Sequence, residues 1–489
     1  VATSSRLDAD VVIIGAGPAG ATAAGLLAAW GRSVILIHGE SGAPSLAESL
    51  PASTRKLLRF LGQLDAVDRA AFHPNHGNIS RWAEKDAVAT TTAAGYHVSR
   101  TAFDRVLREH ARAQGAPVVN AHVRRVELIA PVVAECVGEG GVRRCSGRFV
   151  LDCSGRAGVI AARGLRRADA GYRTLALVAE WKTDEWPAAE RTHTVVDSYD
   201  HGWAWSVPLS PTRRQCTVMV DADRTTVRKT SLDRVYGEEL HRARNIASRL
   251  AGATRTGPVW ACDASIYDAT RASDGDAFLV GDAASFVEAL SSGGVKKALS
   301  SAWRAAVVVN TCLEKPGMRA AATDLFNRRE HQVYTEYLRQ STAFFREAAL
   351  VYDDPFWTAR ANPAHAGEPD GEPSDFLLRH DADVRRAFER LRDAPRLDLA
   401  PSPHLHFEKA AVIEGREVVL RDGVVVRGFT APIRFVAGVN LPELVRIAPG
   451  CRDVPSLISS YESRVAPVDP RNLLMGLSFL VTRGAFSPA

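Results

Sequence analysis

The apolar run Val11-Val12-Ile13-Ile14 stops at Gly15, and glycine returns at Gly17 and Gly20. A short unbroken apolar run bounded by glycine reads as a buried strand. The Ala- and Leu-rich segment from Ala21 to Ala29 suits a helix, and Ser33 to His38 supplies a second buried strand. Strand, helix and strand together predict a βαβ unit with a parallel sheet. Alternating apolar and polar stretches continue to about Val150, among them Pro117 to Ala130 and Gly147 to Asp152. A strand-rich middle holds Leu175 to Lys182, His193 to Tyr199 and Gln215 to Val220, and Ala277 to Val280 then runs into Gly281-Asp282-Ala283. Two long helical patterns cover Val295 to Leu313 and Met318 to Tyr352. Residues 361–375, rich in Pro, Gly and acidic side chains, read as a linker between a body at 1–360 and a small α+β domain at 376–489. That domain should hold a polar helix near Asp381 to Arg392, then a hairpin at Glu417 to Arg427 turning on Asp422-Gly423.

The G-x-G-x-x-G spacing at Gly15, Gly17 and Gly20 gives the βαβ unit a chemical meaning. It permits a tight turn, close backbone approach to a pyrophosphate, and a helix whose first amides face the phosphates. Alone the motif is weak; set between a strand and a helix at the head of a βαβ unit, it predicts a dinucleotide site. Composition narrows the rest. At 489 residues, with 46% hydrophobic and 24% charged, the chain is an ordinary globular protein large enough for more than one core. A net charge of +5 with scattered arginines argues against nucleic acid. Seven cysteines without a C-x-x-C pair point to neither a disulfide framework nor a metal site, and suggest a reducing cytoplasm. No apolar run reaches membrane-spanning length, and the first residues lack a signal-peptide pattern, so no membrane partner is expected.

Two further segments follow strands: Leu151-Asp152-Cys153-Ser154-Gly155-Arg156 and Gly281-Asp282. With the opening motif, and in this order, they resemble the FAD-binding fold of flavoprotein monooxygenases of the hydroxybenzoate hydroxylase type. The resemblance implies an α/β architecture in which a Rossmann-like FAD-binding domain is interleaved with a β-sheet substrate domain. It places Asp282 on a sugar-chain hydroxyl of FAD and Arg100 near the flavin. The ribose contact, normally an acid ending the second strand, falls to His38 or, after a loop shift, to Glu40. No second G-x-G-x-x-G follows a strand, so reducing equivalents would come from a transient nicotinamide or a separate flavin reductase.

Within that superfamily the sequence resembles flavin-dependent halogenases. Gly202-Trp203-Ala204-Trp205-Ser206-Val207-Pro208 is similar to their W-x-W-x-I-P signature, and Ala47-Glu48-Ser49-Leu50-Pro51 to their G-E-S-L-x-P segment. Ser292, Gly293 and Gly294 parallel their small-residue turn beside the isoalloxazine, and Phe356-Trp357-Thr358-Ala359-Arg360 parallels the end of their helical region.

One departure changes the chemistry that the resemblance implies. Halogenases use a lysine to carry hypohalous acid to the substrate carbon. Counting back from Arg81-Trp82, its place here is taken by Asn75, which forms no haloamine; Lys56 lies too early and Lys85 too late. The expectation is therefore a hydroxylase on a halogenase scaffold, transferring oxygen from a flavin C4a-hydroperoxide to an electron-rich aromatic ring. The alternative is halogenation of a phenol, pyrrole or indole. A flavin-binding protein without turnover is a third reading, against which the intact motifs argue. His76, His73 and Glu288 are the candidate bases, with His76 first. Lys296 and Lys297 are read as solvent-facing. A halogenase-like body with an appended domain also resembles the tryptophan-hydroxylating monooxygenases of tryptophylquinone biogenesis, so the aromatic substrate is either free or protein-borne.

Overall fold

A computed structural model describes residues 5–488 apart from 41, 43, 169–170, 185, 189, 364–377, 379 and 430. The chain divides into two compact units, 1–310 with 333–366, and 311–332 with 367–489. The second unit thus takes in residues 311–332 as well as the C-terminal segment. Most of the stretch read as a linker, from residue 364 on, lies outside the described residues.

The first unit opens as its hydrophobic pattern predicts. Strand β1 (Ser5–Ile14) is followed by α1 (Pro18–Ala29) and β2 (Val34–His38), and β1 pairs in parallel with β2. Val11, Ile13, Leu36 and Ile37 are almost wholly buried, which explains why both strands read as continuous apolar runs. On its other side β1 pairs in parallel with the strand Gly141–Asp152, and that strand with Ala277–Leu279. All three sequence elements assigned to the nucleotide therefore leave one sheet from neighbouring strands.

A second sheet of eight strands carries the other half of the site. It contains β3 (Ala47–Leu50), β4 (His73–Arg81) and β5 (Val88–Ser99) at one side. The middle strands β6 (Thr174–Lys182), β7 (His193–Tyr199), β8 (Gly202–Ser210) and β9 (Arg213–Asp221) continue it, with β7 parallel to β4 and antiparallel to β8. Three helical segments then position residues around this sheet: α2 (Arg100–Ala113) begins directly where β5 ends, and α3 (Gly294–Glu314) and α4 (Arg319–Ala349) are the long helices. The short α5 (Pro355–Ala361) follows, capped by the Asp354 carboxylate, which accepts from the Phe356 amide at 2.7 Å.

In the second unit the helix α6 (Ala382–Arg392) is capped by Asp381, and Leu441, Leu444, Leu457, Leu473, Leu477 and Leu480 form a core of their own. The hairpin differs from the sequence expectation. Its strands are His406–Glu414 and Glu417–Val425, Glu414 faces Glu417, and the turn falls on Gly415, at φ +61°. Asp422-Gly423 lies inside the second strand. Gly423 serves packing rather than turning: a Cβ there would stand 2.9 Å from the Cβ of Pro432.

Candidate functional site

The three motif glycines do three different jobs. A Cβ on Gly15, at φ +97°, would stand 2.4 Å from the Cys153 carbonyl oxygen, and one on Gly20 would stand 1.8 Å from that of Gly15. These two let the turn close on itself and on the neighbouring strand. Gly17 is less crowded: the nearest atoms to a Cβ there are Asp104 Oδ2 at 3.6 Å and Arg100 Nη2 at 3.9 Å, at ordinary contact distance. Gly17 is also the N-cap of α1, which has no side-chain cap and no acid in its first turn. Its first amides are thus left for an anion.

Charged side chains gather around that opening. Arg100 begins α2 and bonds Asp104 at 3.1 Å and Glu48 of β3 at 3.3 Å. Burial works against the Arg100 charge, but Asp104 and Glu48 outweigh it and hold the guanidinium above its ordinary pKa. Asp282 sits on the turn Gly281–Ala283, and its Oδ1 has no hydrogen-bond partner although Lys297 Nζ is 3.2 Å away. Lys297 is the functional residue that sequence reasoning missed. Expected at the surface, it is fully buried, and its ammonium donates to Gly281 O at 3.1 Å and to Ser285 O. The reason is local: the Gly281–Ser285 loop curls its carbonyls over the start of α3, and a long cationic side chain satisfies them from beneath. His38 ends β2, where burial and then Arg108 lower its pKa, while Glu40 is exposed. Helix amides without a side-chain cap, able to donate to a pyrophosphate, and a carboxylate oxygen able to accept from a hydroxyl suit FAD.

The small-residue turn lies beyond. Ser292 adopts a left-handed conformation at φ +47°, a Cβ on Gly293 would strike the Tyr337 ring at 2.3 Å, and one on Gly294 would meet nothing within 4 Å. Gly293 is therefore small for packing, and Gly294 keeps its surroundings open. Glu288 stands at the start of this turn. It is 3% exposed, and neither carboxylate oxygen has a partner. Desolvation raises its pKa to about 7, against the opposing pull of Arg360 and the Ala289 amide.

An aromatic wall covers the sheet beside it. Trp203 and Trp205 stack at 4.8 Å, and Trp82 meets Trp203 edge-on at 6.3 Å and Trp357 at 5.5 Å. These tryptophans cluster with Met219, Phe345, Ala289 and Leu290, so the Glu288 turn and the W-x-W strand belong to one apolar group.

Asn75 closes the polar end of the same sheet. Its amide nitrogen donates to Ser49 Oγ at 2.9 Å and to Leu50 O at 3.2 Å, and its carbonyl oxygen accepts from the Gly77 amide at 3.0 Å. Thr194 donates to the same Ser49 oxygen at 2.9 Å, and His97 Nε2 lies 3.0 Å from Thr194. Burial drives the His97 pKa well down. The structure does not bring His76 to these partners: its ring lies 3.3 Å from Thr192 Oγ1, and His73 bonds Arg191 O at 2.6 Å. Lys56 is exposed, and Lys85 is exposed and paired with Glu347.

Comparison with known proteins adds the following. Residues 62–370 match the tryptophan halogenase family. The chain is 29% identical over 370 residues to the tryptophan 2-halogenase of Chondromyces crocatus, a match covering 72% of this chain and 70% of that protein. In structure it is similar to the flavin-dependent halogenase CmlS, with a TM-score of 0.79 at 21% identity over 99% of this chain and 96% of that one. It is also similar to the peptidyl tryptophan dihydroxylase QhpG, essential for tryptophylquinone cofactor biogenesis, with a TM-score of 0.69 at 24% identity over 98% and 99%. At such identities the last two are likenesses of fold.

Proposed function

The chain belongs to the tryptophan halogenase family of flavin-dependent enzymes and binds FAD, and we propose that it hydroxylates an electron-rich aromatic ring instead of halogenating it. The observation that carries this reading is the state of Asn75. Both amide N–H groups donate and the carbonyl oxygen accepts within the protein, and the side chain has no amine to hold hypohalous acid. Neither Lys56 nor Lys85 stands in its place.

Reduced FAD, when bound, supplies with dioxygen an electrophilic oxygen atom. The chain's own residues do the remainder. The Gly17 opening, α1 amides, Arg100 and Asp282 hold and orient the cofactor, and Lys297 keeps the Asp282 loop in shape. The tryptophan wall excludes water and offers flat apolar surface to an aromatic substrate. One atom of dioxygen would bond to a ring carbon, which releases its hydrogen as a proton, while the other would leave as water on the two electrons that the reduced cofactor supplies. Glu288 is the base we put first: a buried carboxyl with a pKa of about 7 is ionised often enough at neutral pH to accept it. His76 takes second place because its ring is bonded at Thr192.

A tryptophan side chain within a protein is the substrate we favour, supported by the end-to-end likeness of fold to the peptidyl tryptophan dihydroxylase. Halogenation of a phenol, pyrrole or indole is the second reading, favoured by the family match and by the relative from Chondromyces crocatus. Turnover of phenols, pyrroles, indoles and tryptophan-containing peptides, with reduced FAD, oxygen and excess bromide, separates the two. Oxygenated products are expected; robust bromination replaces the first reading with the second.

A further inference from the structure

The turn that joins β7 to β8 touches the tryptophan wall twice. Tyr199 pairs with Gly202, so Asp200 and His201 are its two turn residues, and Trp203 comes directly after Gly202. The Trp357 indole nitrogen of α5 donates to Tyr199 O at 3.1 Å and to Asp200 O at 3.0 Å. Trp357 meets Trp82 edge-on, and Trp203 stacks on Trp205. A displacement of this turn therefore reaches the wall through two of its rings.

His201 ties the turn to the helix Leu232–Arg242. Its Nε2 lies 3.1 Å from Glu239 Oε1, and its Nδ1 lies 3.2 Å from Asp200 Oδ2. A carboxylate faces each ring nitrogen, and ionised carboxylates only accept. The imidazolium donates to both, whereas the neutral ring has a single N–H and turns a lone pair towards one of them. The Glu239 contact is the better shielded, since that side chain is 14% exposed against 59% for Asp200. Three further groups face the imidazole. Arg242 of the same helix lies 3.2 Å from Asp200, the Tyr199 ring stands edge-on at 5.6 Å, and Asp354, paired with Arg224, begins α5. The Glu239 hydrogen bond outweighs burial and Arg242, and raises the His201 pKa above its ordinary 6.5.

We propose that His201 is a positioning residue for the tryptophan wall. Protonated, it spans Asp200 and Glu239 and pins the turn that receives the Trp357 indole and leads into Trp203. Deprotonated, it releases one carboxylate, and the wall loosens. This rests on the reading of the wall as the surface that takes the aromatic substrate.

Two readouts on the full chain with FAD bound test this. The first is nuclear magnetic resonance of the Trp357 indole N–H and the His201 ring, assigned by their loss in Trp357→Phe and His201→Gln. Both signals should move together with pH, at a midpoint above 6.5. Glu239→Gln should bring that midpoint down by roughly one unit, and His201→Gln should leave the indole signal flat. The second readout is KM for the aromatic substrate. From about pH 6 to about pH 9 it should rise by up to about fivefold in wild type, and in His201→Gln it should stay at the high value throughout, with the pH dependence of kcat unchanged. An indole signal that ignores the His201 midpoint, or still titrates in His201→Gln, overturns the inference. If the indole follows His201 while KM does not, the wall fails as the substrate surface and the latch stands.

Discussion

At the scale of single residues, the site depends on buried polar groups whose environments differ sharply. Asn75 is hydrogen-bonded through both its nitrogen and its oxygen, Glu288 is unsatisfied, and Lys297 satisfies others. Glu288 gives a prediction with a definite sign. Its folded pKa of about 7 lies above the ordinary carboxyl value of 4.5. The folded chain therefore holds a proton that the unfolded chain has lost between those two pH values, and stability falls as pH rises through that window. Above it the cost settles at about 3 kcal/mol. Glu288→Gln should match wild type in thermal unfolding near pH 4 and exceed it at pH 8; a difference that does not widen with pH would refute the buried, raised carboxyl. Lys297 is treated in the opposite way. Lys297→Met strips the donors from Gly281 O and Ser285 O, so the denaturant midpoint should fall by the equivalent of about 2 kcal/mol, and FAD affinity should fall with it. Unchanged FAD affinity by fluorescence titration would remove Lys297 from the cofactor loop.

At the scale of elements, the glycine turn between β1 and α1 was readable because its physics is local. A buried strand, a tight turn and a helix start all leave their mark within about twenty residues. Gly17→Val makes the point testable. A Cβ there stands 3.6 Å from its nearest neighbour and φ is negative, so circular dichroism should stay that of the wild type while FAD uptake disappears. Retained uptake would mean that the pyrophosphate does not approach this backbone. Where the determinant is not local, the sequence misleads. Asp422-Gly423 has the composition of a hairpin turn, but Gly423 is small to admit Pro432, a partner nine residues on, and the chain turns at Gly415. Lys297 looked solvent-facing because lysines opening a helix usually are; its acceptors come from a loop twelve to sixteen residues earlier. The Asn75–Ser49–Thr194–His97 network is assembled from four strands, and no pattern along one strand could announce it.

At the scale of the molecule, the nucleotide sheet and the tryptophan-bearing sheet both lie in the first unit, and among the described residues no helix is long and apolar enough to cross a membrane. The α/β architecture and FAD as the cofactor were legible because each rests on a motif in a strand context. The choice between hydroxylation and halogenation turns on one side chain, Asn75, and on the partners that the fold brings to it. Turnover under ¹⁸O-labelled dioxygen with bromide in excess, read by the mass of a tryptophan-containing protein or peptide product, tests that choice most directly. The account predicts the mass increase of incorporated ¹⁸O and no bromine isotope doublet, with dioxygen as the oxygen source. A product carrying bromine and no label would contradict it.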